Sequence, residues 1–339
     1  MRILMVCPEL PSADNPGSMA PTARQIESIR QQGVDVDVID MRGIPKLKYL
    51  QSIPRIRRLA ARADLVHAHF GYCGWLAHLA QRKPVVLSFM GDDLLGTRKD
   101  DGSLEWFSRV MVQANKRLAS RVSRVIVKSQ EMASIIAPVA SSVVPNGVDT
   151  ESFQPRERGF ARQRLGMGDG LKVLFPGDPK NPGKGWTMAA DAIRGAIEMT
   201  GQEIELVPLW GVQPDDVPLY MSACNAMVMT SMSEGSPNVV KEALACNTPV
   251  VGVPVGDVQE MLEGIEGCSF CERDSREIAR NLIALFSIGR SWGRDAILSR
   301  GLDLASVAQR VIKIYSTVLD TKSAEGRSEC VERGSPCVE

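Results

Sequence analysis

Short apolar runs alternate with longer amphipathic segments along this whole chain. The apolar runs lie near 3–6, 34–39, 65–68, 85–89, 124–127, 143–144, 173–175, 204–207, 226–229, 250–252 and 269–270. Runs of this length are typical of buried strands, and the segments between them have the period of amphipathic helices. The alternation therefore predicts β-α-β units, parallel sheets and an α/β fold.

The length of the chain, 339 residues, favours two domains of about 150 residues each. Residues 145–155 have the Pro, Asn, Gly and Asp content of a connecting segment. We therefore predict two doubly wound, Rossmann-like domains, at 1–150 and 156–303, with a cleft between the carboxyl ends of their strands. A helix at 304–319 is expected to close the fold by packing back on the first domain, and the polar residues 322–339 are predicted to be disordered.

Positive charge is concentrated in the segment 42–62. It contains Arg42, Lys46, Lys48, Arg55, Arg57, Arg58 and Arg62, with no acid between Asp40 and Asp64. A short helix beginning at Pro54 would place apolar residues on one side of this run, so it favours either a solvated face or contact with an anionic membrane. No recognised motif for nucleic-acid binding accompanies it. The opening apolar run is too short for a signal peptide, which favours a cytoplasmic protein, at most peripheral at the inner face of a membrane.

Two carboxylates, Glu234 and Glu242, lie eight positions apart across the start of a predicted helix. Ser236 is predicted to be the N-cap and Pro237 the first helical residue. The free N–H groups of a first helical turn suit a phosphate, and a carboxylate on either side suits hydroxyl groups. A nucleotide sugar has both kinds of group.

A loop rich in Gly and Lys, residues 175–186, follows another predicted strand and opens a helix. Its lysines, Lys180 and Lys184, make a phosphate site plausible. It is not a Walker loop, because five residues rather than four separate Gly177 from Gly183, and Gly185 replaces the required Ser or Thr.

Several other polar residues are candidates for acid–base or metal chemistry. Asp92 follows a buried strand and should reach the cleft, either to exchange a proton or to cap a helix. His67 and His69 alternate on one strand and favour cleft lining or packing, since no further metal ligand stands at a recognisable spacing. Asp35 and Asp37 are predicted to lie on an exposed strand face. We therefore expect neither a metal nor a cofactor.

Residues 229–257 closely resemble the donor-binding segment of retaining glycosyltransferases of family 4 (group 1), which have the two-domain GT-B fold. The segments 65–69 and 144–149 and the helix at 304–319 resemble the family's counterparts in place and character. The resemblance implies that Glu234 holds hydroxyls of the donor sugar and Glu242 the ribose hydroxyls. It also places the backbone of four residues against the sugar and diphosphate: Gly235, Ser236, Pro237 and Asn238.

The same resemblance assigns Lys184 to the donor diphosphate and Gly17 to a glycine pair in the first βα loop. Asp178 occupies the position of the family's arginine, so that either Lys180 compensates or Lys184 and the helix amides meet most of the phosphate charge. Met90 stands where many relatives have a histidine, and Asp92 is then the nearest acid–base candidate.

The expected activity is retaining transfer of a hexose-type sugar from a UDP- or GDP-linked donor to a glycan or lipid-linked acceptor, in surface polysaccharide synthesis. Lys184, Glu234 and Asp92 are the expected catalytic residues. The alternatives are a nucleotide-sugar epimerase or hydrolase of the same fold, a two-domain sugar-binding protein, and a non-catalytic scaffold that binds sugar nucleotides.

Overall fold

A computed structural model describes residues 1–43, 47–97 and 103–332. In this part of the chain the first half forms one parallel sheet of order β2-β1-β3-β4-β5-β6. Its strands are β1 (Arg2–Cys7), β2 (Asp35–Asp40), β3 (Leu65–His69), β4 (Val85–Ser88), β5 (Arg124–Val127) and β6 (Ser141–Val143). The helices of this half are α1 (Ala20–Gln31), α2 (Leu47–Ala60), α3 (Gly71–Ala80), α4 (Asp92–Leu95), α5 (Trp106–Ala119) and α6 (Gln130–Ile135).

The second half forms a parallel sheet of order β11-β10-β9-β7-β8. Its strands are β7 (Leu171–Phe175), β8 (Ile204–Pro208), β9 (Ala226–Met229), β10 (Val250–Gly252) and β11 (Cys268–Phe270). The helices are α7 (Arg158–Leu165), α8 (Trp186–Thr200), α9 (Val217–Ala223), α10 (Asn238–Ala245), α11 (Val258–Leu262), α12 (Ser275–Ile288), α13 (Gly293–Ser299) and α14 (Leu304–Glu332). The predicted α/β class with two parallel sheets is confirmed.

Both faces of each sheet are covered by helices, as near-continuous apolar strands require. In the first sheet, Leu4 and Val6 pack towards α2, α3 and α5, whereas Ile3 and Met5 pack towards α1 and α14. The helix α14 contributes Val307, Val311 and Tyr315 to this second layer. The C-terminal helix therefore lies on the first sheet although it follows the second one in sequence.

Two segments of chain cross between the sheets side by side. Val148 forms an isolated parallel bridge with Asp303, and its N–H donates to the carbonyl of Leu302 at 2.9 Å. Segments that cross together in this way form a narrow connection, which leaves the carboxyl ends of both sheets facing each other across the cleft.

Several boundaries differ from the prediction. The helix α2 begins at Leu47 and contains Pro54 inside it, whereas Pro54 was expected near the start. Three helices were not predicted, and each is short or poor in periodic apolar residues: α4, α7 and α13. The helix α14 continues past 319 to Glu332, because 320–332 contains no proline and several good helix formers. Residues 322–332 of the segment predicted to be disordered are therefore helical, and 333–339 lie outside the described residues.

The strand order of the second sheet identifies where a ligand is expected. Strand β7 pairs with β8 on one side and with β9 on the other, so the sheet reverses its winding direction between β7 and β9. Ligands of doubly wound sheets bind at such a switch point, outside the carboxyl ends of the strands. The loops that follow β7 and β9 are 176–185 and 230–237, which are the two loops that the sequence indicated.

Candidate active site

The loops after β7 and β9 are held together by backbone contacts. The hydroxyl of Thr230 donates to the carbonyls of Lys184 and Gly185 at 3.1 and 3.0 Å, and the N–H of Met232 donates to the carbonyl of Gly183 at 2.8 Å. Gly185 has φ +74° and lies so close to Thr230 that a Cβ there would overlap its carbonyl oxygen. A glycine is needed at this position, and it fixes the place from which the Lys184 side chain leaves the backbone.

Lys184 and Glu234 form an ion pair at the junction of these loops. The ammonium Nζ of Lys184 lies 2.6 Å from Oε1 of Glu234, and the side chains are 32% and 17% exposed. Both groups are thus partly withdrawn from water while still reachable from the cleft. The pair places a cation, suited to phosphate, beside a carboxylate, suited to sugar hydroxyls.

The backbone of Glu234 is fixed from two sides. Gly256, at φ +57°, lies so close that a Cβ there would come 2.6 Å from the carbonyl oxygen of Glu234. On the other side, Gly235 faces Met90 and Gly91 of the first domain, and a Cβ at Gly235 would be 3.5 Å from the Met90 carbonyl oxygen. The loop after β9 is therefore in direct contact with the opposite wall of the cleft.

The start of α10 differs from the prediction by one residue and in its capping. The helix begins at Asn238, with Pro237 at the N-cap and no side-chain cap hydrogen bond, whereas Ser236 was expected to cap it. The hydroxyl of Ser236 instead accepts a hydrogen bond from Nζ of Lys241 at 3.0 Å. The predicted cap is wrong because a buried lysine one turn further on takes this hydroxyl. The first-turn amides near Asn238 are consequently left without a side-chain cap, and Oδ1 of Asn238 is buried with no partner among the described residues.

Lys241 belongs to a buried polar group that the sequence did not reveal. Burial lowers its pKa to about 8, against the opposing effects of Asp257 and Glu242. Burial likewise raises the pKa of Asp257 to about 6, while Lys241 acts to lower it. The only sequence signal for this pair is that Lys241 interrupts an otherwise apolar helix face.

Glu242 points across the cleft to the first domain. Its Oε1 lies 2.9 Å from Nη1 of Arg24 on α1, and the two side chains are 13% and 27% exposed. Burial raises the pKa of Glu242, and Arg24 partly offsets this. The guanidinium of Arg24 also lies 5.1 Å from the centre of the Phe153 ring in the connecting segment. Sequence reasoning missed Arg24, since nothing distinguishes it from other charged residues of a surface helix.

Two adjacent acids in the first domain, Asp92 and Asp93, have different surroundings. Asp93 is buried, and its carboxylate accepts hydrogen bonds from the N–H groups of Met90, Gly91 and Gly71 at 2.9–3.1 Å. Asp92 makes no capping bond, because α4 has Gly91 at its N-cap. Withdrawal from water raises the pKa of Asp92, Glu234 raises it further, and Lys184 opposes them. Of the two alternatives left open for Asp92, the capping one is excluded, and its carboxyl is free to face the donor residues.

A cavity of about 330 Å³ lies between the two walls. From the first domain it is lined by Phe70, Met90, Gly91, Asp92, Gly96 and Thr97, and from the second by Asn181, Gly183, Lys184, Met232, Ser233, Glu234 and Gly235. The three predicted catalytic residues, Lys184, Glu234 and Asp92, thus line one cavity. This cavity lies between the loops after β7 and β9 and the wall of the first domain that faces them.

Three further positions that the sequence analysis discussed, Lys180, Asp178 and Gly17, do not line this cavity. Lys180 lines a separate cavity beside Trp186 and Arg273. The carboxylate of Asp178 accepts a hydrogen bond from the N–H of Lys180 at 2.9 Å. This carboxylate therefore stabilises the turn of its own loop, and as an anion it is not suited to bind a phosphate. Gly17 lies in the turn before α1, with open space where a Cβ would stand.

The two histidines are packed inside the first domain. Nδ1 of His67 is 2.6 Å from the hydroxyl of Tyr315, and its Nε2 is 2.8 Å from that of Ser88. His69 is fully buried with neither ring nitrogen paired among the described residues, and burial lowers its pKa to about 3. Both observations favour packing over proton transfer for these residues. Within the described ranges no group of three or more His, Cys, Asp or Glu is placed to hold a metal, and Asp35 and Asp37 pair with Arg2.

Comparison with known proteins agrees with this geometry. Residues 17–152 match the sequence model of Glycosyltransferase Family 4, and residues 172–287 match that of Glycosyl transferases group 1. The putative teichuronic acid biosynthesis glycosyltransferase TuaC of Bacillus subtilis is 26% identical, over 77% of this chain and 83% of that protein. The D-inositol 3-phosphate glycosyltransferase of Geodermatophilus obscurus is 25% identical over 66% of this chain, which spans only 59% of that longer protein.

Solved structures show the same fold at lower identity. Sucrose-phosphate synthase from Thermosynechococcus elongatus superposes with a TM-score of 0.74 at 16% identity, covering 94% of this chain and 99% of that one. HepE of Anabaena, in complex with UDP, superposes with a TM-score of 0.68 at 21% identity, covering 94% and 100%.

The two parallel sheets and the cleft between them define the GT-B fold, as the sequence predicted. The family matches, one in each half, identify this chain as a member of the group 1 glycosyltransferases.

Proposed function

We propose that this protein is a retaining hexosyltransferase that uses a UDP- or GDP-linked sugar. The observation that carries the proposal is the Lys184–Glu234 pair at the switch point of the second sheet, facing Asp92 across a cavity lined by both domains. A UDP donor is favoured, because the structural neighbour HepE is in complex with UDP.

In this proposal each domain binds one of the two substrates. The second domain, 156–303, binds the donor through Lys184, Glu234 and the backbone of residues 235–238. The first domain, 1–150, binds the acceptor along the wall that contains Asp92. The ammonium of Lys184 and the free amides at the start of α10 would stabilise the negative charge that develops on the departing diphosphate, which is the largest contribution such a site can make.

Glu242 is proposed to bind the ribose hydroxyls. It can do so only if the ribose replaces or shares its present partner, Arg24. The carboxylate is paired with Arg24 from the first domain, and Lys184 is paired with Glu234. The three proposed donor-binding side chains, Lys184, Glu234 and Glu242, are thus all satisfied by other protein groups. Binding of the nucleotide then requires that Arg24 be exchanged for, or share Glu242 with, the ribose, and a small opening of the cleft would permit this.

Retention of configuration is supported by the resemblance and by the kind of groups present. In the proposed step the acceptor hydroxyl attacks the anomeric carbon on the face from which the diphosphate departs. The bond to the diphosphate oxygen breaks, and the hydroxyl proton passes to that oxygen or to the carboxylate of Asp92. Glu234 holds the donor sugar and is neutralised by Lys184, so it serves as a hydrogen-bond acceptor and not as a nucleophile.

The acceptor is proposed to be a glycan or a lipid-linked glycan of a surface polysaccharide. The relative TuaC is described as a glycosyltransferase of teichuronic acid biosynthesis, which supports this class of product. The helix α2 buries Ile56 and exposes Arg55, Arg58 and Leu50, and such an amphipathic basic helix is suited to peripheral contact with an anionic membrane. Of the described helices, none is long and apolar enough to span a bilayer.

The test is transfer itself. The protein is incubated with a panel of UDP- and GDP-hexoses, each with and without glycan acceptors, and products are analysed by mass spectrometry and by NMR of the anomeric proton. Acceptor-dependent formation of an α-linked product from an α-linked donor is expected. Epimerised or hydrolysed sugar from donor alone would favour the epimerase alternative, β-linked product would exclude retention, and nucleotide binding without any turnover would favour the non-catalytic scaffold.

A further inference from the structure

A second large cavity opens on the first domain, far along the chain from the donor loops. Its volume is about 610 Å³, and its walls are formed by the ends of α2 and α3, the residues before β4 and β5, and α14. Val85 begins β4 and Ser123 directly precedes β5, so the cavity lies at the amino ends of these strands. The cleft between the domains lies at the carboxyl ends of the strands. The two sites are therefore at opposite ends of the strands of the first sheet.

The lining of this cavity is strongly basic. It includes Arg57, Arg82, Lys83, Arg121 and Lys322, together with His78, and no Asp or Glu. Among the described residues none of these five cations forms an ion pair with a carboxylate. The segments that carry Arg82, Lys83 and Arg121 contain no acidic partner, because no Asp or Glu occurs between Asp64 and Asp92 or between Glu105 and Glu131. The segments of the first domain that line the cavity thus supply no counter-charge of their own, whereas Lys322 belongs to α14, which carries Asp320 two residues before it.

Part of this basic lining is held in place. Nε of Arg57 donates to the carbonyl of Ala80 at 3.0 Å, and the guanidinium of Arg121 lies 5.9 Å from the centre of the Trp75 ring. The amide of Gln81 donates to the carbonyls of Ala77 and Lys83, which braces the loop that carries Arg82 and Lys83. Groups that are already positioned lose less conformational entropy when an anion binds.

We propose that this cavity is a binding site for a phosphate-bearing anion, separate from the donor site. Guanidinium groups bind phosphate oxygens through paired hydrogen bonds, and lysines add point charge. The cavity volume exceeds that of a single phosphate and admits a phosphorylated headgroup or a small phosphorylated molecule. Leu79, 70% exposed beside the basic residues, offers an apolar contact next to the charge. The site goes beyond the proposed transfer reaction, which needs none of these residues.

The test compares two pairs of charge reversals. The cavity variant is Arg82→Glu with Lys83→Glu, and the matched control is Arg276→Glu with Arg280→Glu on the exposed face of α12, which changes net charge equally. Binding of inorganic pyrophosphate is measured by calorimetry in saturating UDP, so that the donor site is filled. Binding to vesicles is measured by sedimentation, with phosphatidylcholine alone and with about one quarter phosphatidylglycerol. Melting temperature and UDP affinity show that each variant is folded.

The wild type is expected to bind at least one probe, and the cavity variant to bind it at least about tenfold more weakly while the control changes by less than about twofold. Pyrophosphate binding alone would identify a soluble ligand, and binding only to the anionic vesicles would identify a lipid headgroup. The proposal is overturned if the wild type binds neither probe, or if control and cavity variants lose binding equally. A third outcome applies when the wild type binds anionic vesicles but not pyrophosphate. The proposal is then overturned if the α2 variant, Arg55→Glu with Arg58→Glu, loses vesicle binding while the cavity variant keeps it. If the double variant does not fold, Arg121→Gln replaces it under the same criteria.

Discussion

The two walls of the cleft are built differently. On the wall of the second domain, which we propose binds the donor (the donor wall), the polar groups have protein partners: Lys184 pairs with Glu234, Lys241 with Ser236, and Glu242 with Arg24. On the facing wall Asp93 is tied to three backbone N–H groups, while its neighbour Asp92 is left to the cavity beside Met90 and Phe70. A wall whose groups are positioned in advance suits a ligand of constant chemistry, such as a nucleotide diphosphate. The other wall provides shape and one carboxyl, as expected for an acceptor that varies between relatives.

The largest effect is expected on the donor wall, at Lys184. Replacing it by Met in Lys184→Met removes the cation that faces the departing diphosphate, and the kcat for transfer should fall by about 10²–10³-fold. Lys180→Met is the matched comparison in the same loop, because Lys180 lines a different cavity. It should lose less than about threefold, which corresponds to under 1 kcal/mol. Equal losses in the two variants would place Lys180 in the donor site after all, as the resemblance implied.

The next effect concerns nucleotide affinity at Glu242. A charge-assisted hydrogen bond contributes about 1.5–3 kcal/mol, so Glu242→Gln should raise the Kd for UDP by about 10–100-fold. Calorimetry with UDP measures this directly. Arg24→Ala, which frees the carboxylate from its partner across the cleft, should strengthen UDP binding. Weaker binding in Arg24→Ala would show that Arg24 itself contacts the nucleotide, and an unchanged Kd in Glu242→Gln would remove Glu242 from the ribose site.

These two walls also differ in how far the sequence predicts them. Glu234 and Glu242 belong to one short segment, and the alternation of strands and helices places that segment at the carboxyl end of β9, whose bounds were predicted correctly. Lys184 could be found in the same way, after β7. Arg24 could not, because its pairing with Glu242 joins residues 218 positions apart in the chain. Ser236 was misassigned because capping rules consider only local partners, and the buried Lys241 took its hydroxyl.

A smaller effect is expected on the acceptor wall. Asp92→Asn keeps the shape of the side chain but cannot accept a proton, and kcat should fall by about tenfold with little change in the Kd for UDP. Because the pKa of Asp92 is raised by its withdrawal from water and by Glu234, the wild-type rate should rise with pH through that raised pKa. The variant should lose this limb of the profile, and Asp92→Glu should restore part of it. An identical pH profile in Asp92→Asn would leave Asp92 without a part in proton transfer.

The smallest effect tests what holds the two walls together. Lys128, after β5, is almost fully buried, and its Nζ donates to the carbonyl of Val144 at 3.3 Å. Burial, together with Lys241 across the cleft and against the opposing effect of Asp93, lowers its pKa to about 7. Between this value and the ordinary lysine pKa, the unfolded chain binds a proton that the folded chain does not, so stability should rise with pH over this window.

Lys128→Met removes this buried charge, and it should raise the melting temperature by several degrees near neutral pH. The gain should shrink as the pH approaches the ordinary lysine pKa, where Lys128 is neutral in the folded wild type. Lys172→Met is the control, since Lys172 is also buried but pairs with Glu205, and its loss should give no gain at any pH. A lower melting temperature in Lys128→Met at neutral pH would mean that the lysine stabilises the contact between the walls.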